Sequence, residues 1–145
     1  MFASSPFTST LLDIPRAHID PIDTLVEALS VVALATERPL CQSTTSLFLD
    51  SQRRGIGLTR TYKHSRDAVH HIISEASRVH MVESVFVVST RPRHTVEYAD
   101  GDQFLAMTQL FSHAGITLVD WVVIGRGGLY CPRSLTDTPS PWATP

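Results

Sequence analysis

The sequence predicts an α/β (α+β) protein, a mixed β-sheet flanked by helices in the order α-β-β-α-β-α-β-β. Three observations carry this prediction. Residues 82–89 (VESVFVVS) are almost continuous Val and Phe, the composition of a central strand covered on both faces. Residues 45–62 hold two short alternating apolar runs split by a polar turn, the pattern of a hairpin. Three further segments repeat apolar residues every three or four positions, the pattern of helices with one buried face.

Taken in order, residues 1–19 mix small, polar and Pro residues and are expected to be a flexible N-terminal segment. The first helix is expected from about Asp20, where Pro21 suits the first turn and Asp20 and Asp23 suit its positive end. Ile22, Leu25, Val26, Leu29, Val32 and Ala33 mark its apolar face, and it should stop near Glu37, before Pro39. Strands over 45–50 and 56–62 follow, joined by the turn 51–55. Ser65 is placed to cap a second helix reaching about His80, with Val69, Ile72, Ile73 and Ala76 inward. After the central strand, residues 91–101 read as a polar loop. A third helix is expected from about Asp102, burying Phe104, Met107, Leu110 and Phe111, with Gly115 as its C-terminal cap. Residues 116–125 (ITLVDWVVIG) read as a strand in which Asp120 is a turn or bulge position. The run 125–128 (GRGG) reads as a hairpin turn into a last short strand that Pro132 limits. Residues 134–145 (SLTDTPSPWATP) have the composition of a disordered tail. One domain is therefore expected over 20–133.

Composition narrows the function classes. The 145 residues carry 18% charged side chains and a formal net charge of −2, which favours neither a strongly basic nucleic-acid binder nor an acidic tail protein. The basic residues concentrate in the middle, where Arg53, Arg54, Arg60, Arg91 and Arg93 are the candidate anion or nucleic-acid contacts. Two cysteines without a CxxC pattern make no disulfide framework, so a reduced, cytoplasmic setting is expected. The first ten residues lack the basic and apolar regions of a signal peptide. No apolar run approaches the roughly 18 residues of a membrane span, so no membrane association is expected.

Three pieces of the chain resemble the RadC branch of the JAB/MPN metallohydrolase family. The hairpin SLFLDSQRRGIGL resembles the family's opening strand pair. The helix–strand step ending at Val87 and Val88 has the family's order and apolar character. FSHAGITLVDWVVIG resembles its closing helix and strand, through Gly115, Asp120, Ile124 and Gly125. The resemblance covers roughly residues 44–131 and implies the cytidine-deaminase-like JAB/MPN fold. Active members carry His-x-His-Pro at the end of the central strand and Ser-x-x-Asp soon after. The two histidines and the aspartate hold zinc with one position open for water, and a hairpin glutamate acts as proton shuttle.

Aligned on Pro92, that motif puts Ser89 and Arg91 at the two histidines, Ala99 at the serine and Asp102 at the metal aspartate. Serine is a poor zinc ligand, and arginine is a fixed cation. There is no glutamate between Glu37 and Glu75, and the aligned strand carries Thr59 and Arg60. Asp102 alone survives as a vestigial ligand, unless it is simply a helix N-cap. The resemblance therefore implies a non-catalytic domain with no cofactor, acting as a protein-interaction or scaffold module with a protein partner or a second copy of itself.

Two alternatives stay open. His94, Asp100 and Asp102 share one polar loop and could form a displaced zinc site for a divergent hydrolase. Alternatively, the arginines of the hairpin and of the loop after the central strand could converge into a phosphate-binding patch, giving a DNA-associated protein. Adjacent His70 and His71 point about 100° apart on a helix and are read as rim residues rather than shared ligands.

Overall fold

The computed structural model describes residues 14–35, 41–63 and 65–143. The elements run α1 (Leu25–Ala33), β1 (Ser43–Leu49), β2 (Gly55–Thr61), α2 (Ser65–Ala76), β3 (Ser84–Thr90), α3 (Ala99–His113), β4 (Thr117–Gly125) and β5 (Gly128–Tyr130), then a 3-10 turn, Pro132–Leu135. The strands form one sheet in the order β2-β1-β3-β4-β5. β1 is antiparallel to β2 and β3, β3 and β4 are parallel, and β4 folds back as β5. A mixed sheet flanked by helices is what the sequence predicts. Among the described residues, no helix is long and apolar enough to cross a membrane.

Alternation along the strands gives the sheet two apolar faces. On one, Phe48, Val85, Val87, Trp121 and Val123 pack against Val69 and Ile72 of α2 and Phe104, Met107 and Phe111 of α3. On the other, Leu47, Leu49, Phe86, Val88 and Val122 pack against Ile22 and against Ala28 and Val32 of α1. All seven residues of β3 are buried, as a strand covered on both sides requires.

Helix boundaries move where side chains compete for the backbone. α1 starts at Leu25 rather than Asp20 because Thr24 and Glu27 form a capping box: the Thr24 hydroxyl accepts the Glu27 N–H, and the Glu27 carboxylate accepts the Thr24 N–H. Asp20 instead closes a local ion pair with Arg16 at 2.9 Å. The expected end near Glu37 lies outside the described residues. α2 ends at Ala76 rather than near His80, and α3 starts at Ala99 rather than at Asp102. Gly115 follows α3 with a φ of +77°, a left-handed conformation that glycine adopts without a Cβ penalty, as a helix terminator should.

Residues 1–13 of the expected flexible segment lie outside the described residues. Part of the N-terminal segment is pinned: the His18 N–H donates to the Gly55 carbonyl, and the Ile22 N–H to that of Arg53. The tail, expected to be disordered from its Pro/Ser/Thr content, is anchored by one aromatic side chain. Trp142 packs against the α1 face of the sheet. A single large ring can hold a polar segment that composition alone reads as free.

Asp120 marks a β-bulge, one of the two readings its place in an apolar strand allowed. The β3–β4 register skips one residue, pairing Val85 with Leu118 but Phe86 with Asp120. Leu118 belongs to the α2/α3 face and Val119 to the α1 face, yet Trp121, Val123 and then Val122 fall on alternate faces in a shifted phase. The extra residue thus turns Trp121 toward α2 and α3, and Asp120 toward the other side.

Candidate functional site

In a sheet with a parallel strand pair, loops leaving the carboxyl ends of the strands form the natural crevice for a ligand. Here β3 ends at Thr90 and leads through residues 91–98 into α3, which returns to the parallel strand β4. At that end lies a cleft of about 380 Å³, bounded by the start of β1, the end of β3, and helices α2 and α3.

The loop 91–98 is tied down from both sides. The Arg91 N–H donates to the Ile124 carbonyl at 2.8 Å, and the Arg126 N–H donates to the His94 carbonyl at 2.7 Å. Gly125 permits this approach, because a Cβ there would sit 2.7 Å from the His94 carbonyl oxygen. With the loop held so, the Arg91 side chain meets the first turn of α3. Its Nη2 donates to Asp100 Oδ1 at 2.9 Å, and its guanidinium lies over the Trp121 ring at 5.4 Å. Asp100 Oδ2 accepts the Glu97 N–H at 2.9 Å and the Tyr130 hydroxyl at 2.8 Å. Asp100 thereby binds the helix start, the strand end and β5 together.

Burial works to raise the Asp100 carboxyl, but the Glu97 N–H, the Tyr130 hydroxyl and Arg91 outweigh it and hold the carboxyl below its ordinary value. Burial, helped by the hydrogen bond to Asp100, pushes the Tyr130 phenol up to about 12. Deeper in the cleft, the Trp121 indole N–H donates to Ser89 Oγ at 2.9 Å, and Thr44 Oγ1 lies 3.3 Å from the same oxygen. Neither of these neighbours is a base that could activate the Ser89 hydroxyl.

The structure brings Ser89, Arg91, His94, Ala99 and Asp100 to this one cleft. It does not bring Asp102 there. That residue is exposed on the first turn of α3, one of two acidic residues in that turn, and Asp100 is the buried one. The expectation that Asp102 is the surviving ligand is corrected: two residues apart on α3 the side chains point about 200° apart, and Asp100 is the one held inward by Arg91, Tyr130 and the Glu97 N–H. The displaced site of His94, Asp100 and Asp102 is likewise not assembled. Among the described residues, no three His, Cys, Asp or Glu side chains are placed to hold a metal ion, and the Asp100 oxygens already face Arg91, Tyr130 and the Glu97 N–H.

The basic patch is also corrected. β1 pairs with β3 so that Leu49 lies opposite Ser84 and Ser43 opposite Thr90. The hairpin tip with Arg53 and Arg54 is therefore at the opposite end of the sheet from Arg91 and Arg93, about 20 Å away for a strand of this length. Arg54 is paired with Asp50 at 2.8 Å. Arg53 donates to the Ile22 carbonyl and lies over the Trp142 ring. Arg60 donates to the Ala35 carbonyl beyond α1, on the far face of the sheet from Arg91. Arg93 is exposed. The hairpin-tip pair Arg53 and Arg54 and the loop pair Arg91 and Arg93 therefore do not converge into one patch.

Trp121, Thr44, Gln103 and Tyr130 belong to the site and were not singled out by sequence reasoning. The one available signal was Asp120 inside an apolar strand, which marks the bulge that reorients Trp121. Burial beside the Asp120 charge pushes the Cys131 thiol up, away from the reactive thiolate. In comparisons with known proteins, no family model and no curated protein matches this chain.

Proposed function

We propose that this chain is a non-catalytic JAB/MPN-like domain of the RadC type that works as a protein-interaction or scaffold module. The observation that supports this reading is the Arg91–Asp100 ion pair at the end of the central strand. In the family that the sequence resembles, the strand end supplies zinc-binding histidines. Here the aligned positions are Ser89 and Arg91, and the nearest buried carboxylate is matched by a guanidinium, the role a metal cation would otherwise fill. Such a pair holds the helix start to the strand end without a bound ion.

The lining of the cleft favours a peptide over a phosphate. Among the described residues its charged side chains are Arg91, Glu97 and Asp100, with His94 beside them, and Arg91 is already paired. An anion entering there meets two carboxylates. A peptide segment offers N–H and C=O groups to the hydroxyls and amides of Ser43, Thr44, Thr90 and Gln103 along the walls.

The experiment is site-specific photo-crosslinking in the cells that make the protein. A probe at Gln103, in the cleft, should capture a discrete protein adduct. A probe at exposed Gln52, at the far end of the sheet, should not, and Thr44→Arg should remove the Gln103 adduct by filling the cleft. Equal capture from both positions, or none from Gln103, contradicts the proposal.

A further inference from the structure

A second feature lies on the α1 face of the sheet, away from the cleft. Residues 137–140 and Ala143 are exposed, and between them Trp142 is partly buried in a hollow made by four separate parts of the fold. Its ring meets Phe86 of β3 edge to face, with centroids 5.5 Å apart at 82°. The Arg53 guanidinium of the hairpin tip lies over the same ring at 5.1 Å. The indole N–H donates to Asp120 Oδ2 of β4 at 2.8 Å. Beside the ring, the Ala143 N–H donates to the Asp23 carbonyl at 2.9 Å. This is the equipment of a peptide-recognition site: an aromatic wall, a cation over the ring face, a buried acceptor for the indole, and a backbone acceptor for the next residue.

The walls are held without the tail. Phe86 is wholly buried in the central strand. Asp120 is completely buried, and its oxygens also take the Trp121 N–H at 2.9 Å and the Arg133 Nε at 3.3 Å. Arg53 is fixed by its bond to the Ile22 carbonyl and by a backbone φ of +62°. Its Nη2 is buried with no hydrogen-bond partner among the described residues, and the Trp142 ring face meets the cation. The ligand, by contrast, is a short Pro-Ser-Pro-Trp run whose prolines favour an extended, pre-ordered backbone.

We propose that this hollow is a docking site for Pro-Trp peptide segments, and that the chain's own residues 139–143 fill it in cis. The tether sets the behaviour. A short linker presents the tail to the site at an effective concentration in the millimolar range, so an outside peptide competes only weakly with it. Loss of the Trp142 side chain removes the competitor and leaves the site.

The test uses the full chain carrying Trp142→Ala and a synthetic peptide of residues 136–145 (TDTPSPWATP). The variant should melt below the wild type, and the peptide should raise its melting temperature in a saturable manner. The same peptide with Trp replaced by Ala should have no effect, and wild-type protein should need about tenfold more peptide for any response. A folded variant whose melting temperature ignores the peptide overturns the proposal. If the variant does not fold, the wild type labelled with 15N serves: excess unlabelled peptide should move the Trp142 indole resonance toward its free position. An indole signal unmoved by peptide well above the effective concentration overturns the proposal equally.

Discussion

Arg91 and Asp100 stand nine residues apart in the chain and meet at 2.9 Å, joining the end of the central strand to the first turn of the helix that follows it. Asp100 is almost wholly buried and Arg91 partly so. Removing one partner therefore strands the other: Arg91→Ala leaves a buried carboxylate, and Asp100→Ala leaves a poorly solvated guanidinium. Each single substitution is expected to cost about 3 kcal/mol, and the two to couple by about 1 kcal/mol or more in a double-mutant cycle. Urea unfolding of the four proteins measures this, and additive single effects would refute the coupling.

Acid acts through the same carboxylate. The folded Asp100 value is lowered, so between it and the unfolded value near 3.9 the unfolded chain binds a proton that the folded chain refuses. The stabilisation is fully present above that unfolded value and is lost as pH falls through the folded one. Asp50 adds to the same window, its carboxyl held low against burial by the Arg54 and Gln52 N–H groups and the Arg54 side chain. Urea midpoints measured from pH 5 down to pH 2 should fall more steeply for the wild type than for Asp100→Asn.

Alkali acts through Tyr130. Its folded value is raised, so the contribution is complete below the unfolded phenol value near 10 and is lost as pH rises through about 12. Ultraviolet absorbance titration of the folded protein should show a late phenolate step that is missing in Tyr130→Phe. In Asp100→Asn the step should move only part of the way down, because burial is the larger cause.

The Ser46 hydroxyl is fully buried on β1 and has no hydrogen-bond partner among the described residues. A polar group buried in that state costs roughly 1–3 kcal/mol. Ser46→Ala is expected to stabilise the protein by about 1 kcal/mol, read as a raised urea midpoint with an unchanged slope. A destabilised variant would mean that the hydroxyl has a role in the native packing.

Much of the fold was legible in the chain. The Val/Phe run of β3, the alternating hairpin and the three helical stripes each depend on local pattern, and local pattern survives folding. Phase was harder to read. A period of two carried through residues 116–125 gives Trp121 the wrong face, because the bulge at Asp120 adds one residue to the count. The cleft was half legible. Ser89, Arg91 and Ala99 were named through the motif of the resembled family aligned on Pro92, but the partner of Arg91 is Asp100, whose inward turn carries no sequence mark. The arginines looked like one basic segment because linear spacing says nothing about which end of a sheet a loop occupies. In the tail, the proline and serine content concealed the single ring that anchors it.

On the proposed reading, the Arg91–Asp100 pair stands at the strand end in place of a bound metal ion. The direct measurement is metal content: the purified full-length chain is equilibrated with zinc, freed of excess, and analysed by mass spectrometry alongside Arg91→Ala and Asp100→Ala. The account predicts zinc far below one per chain in the wild type, with no loss attributable to Asp100→Ala. One zinc per chain in the wild type, absent from Asp100→Ala, would contradict it.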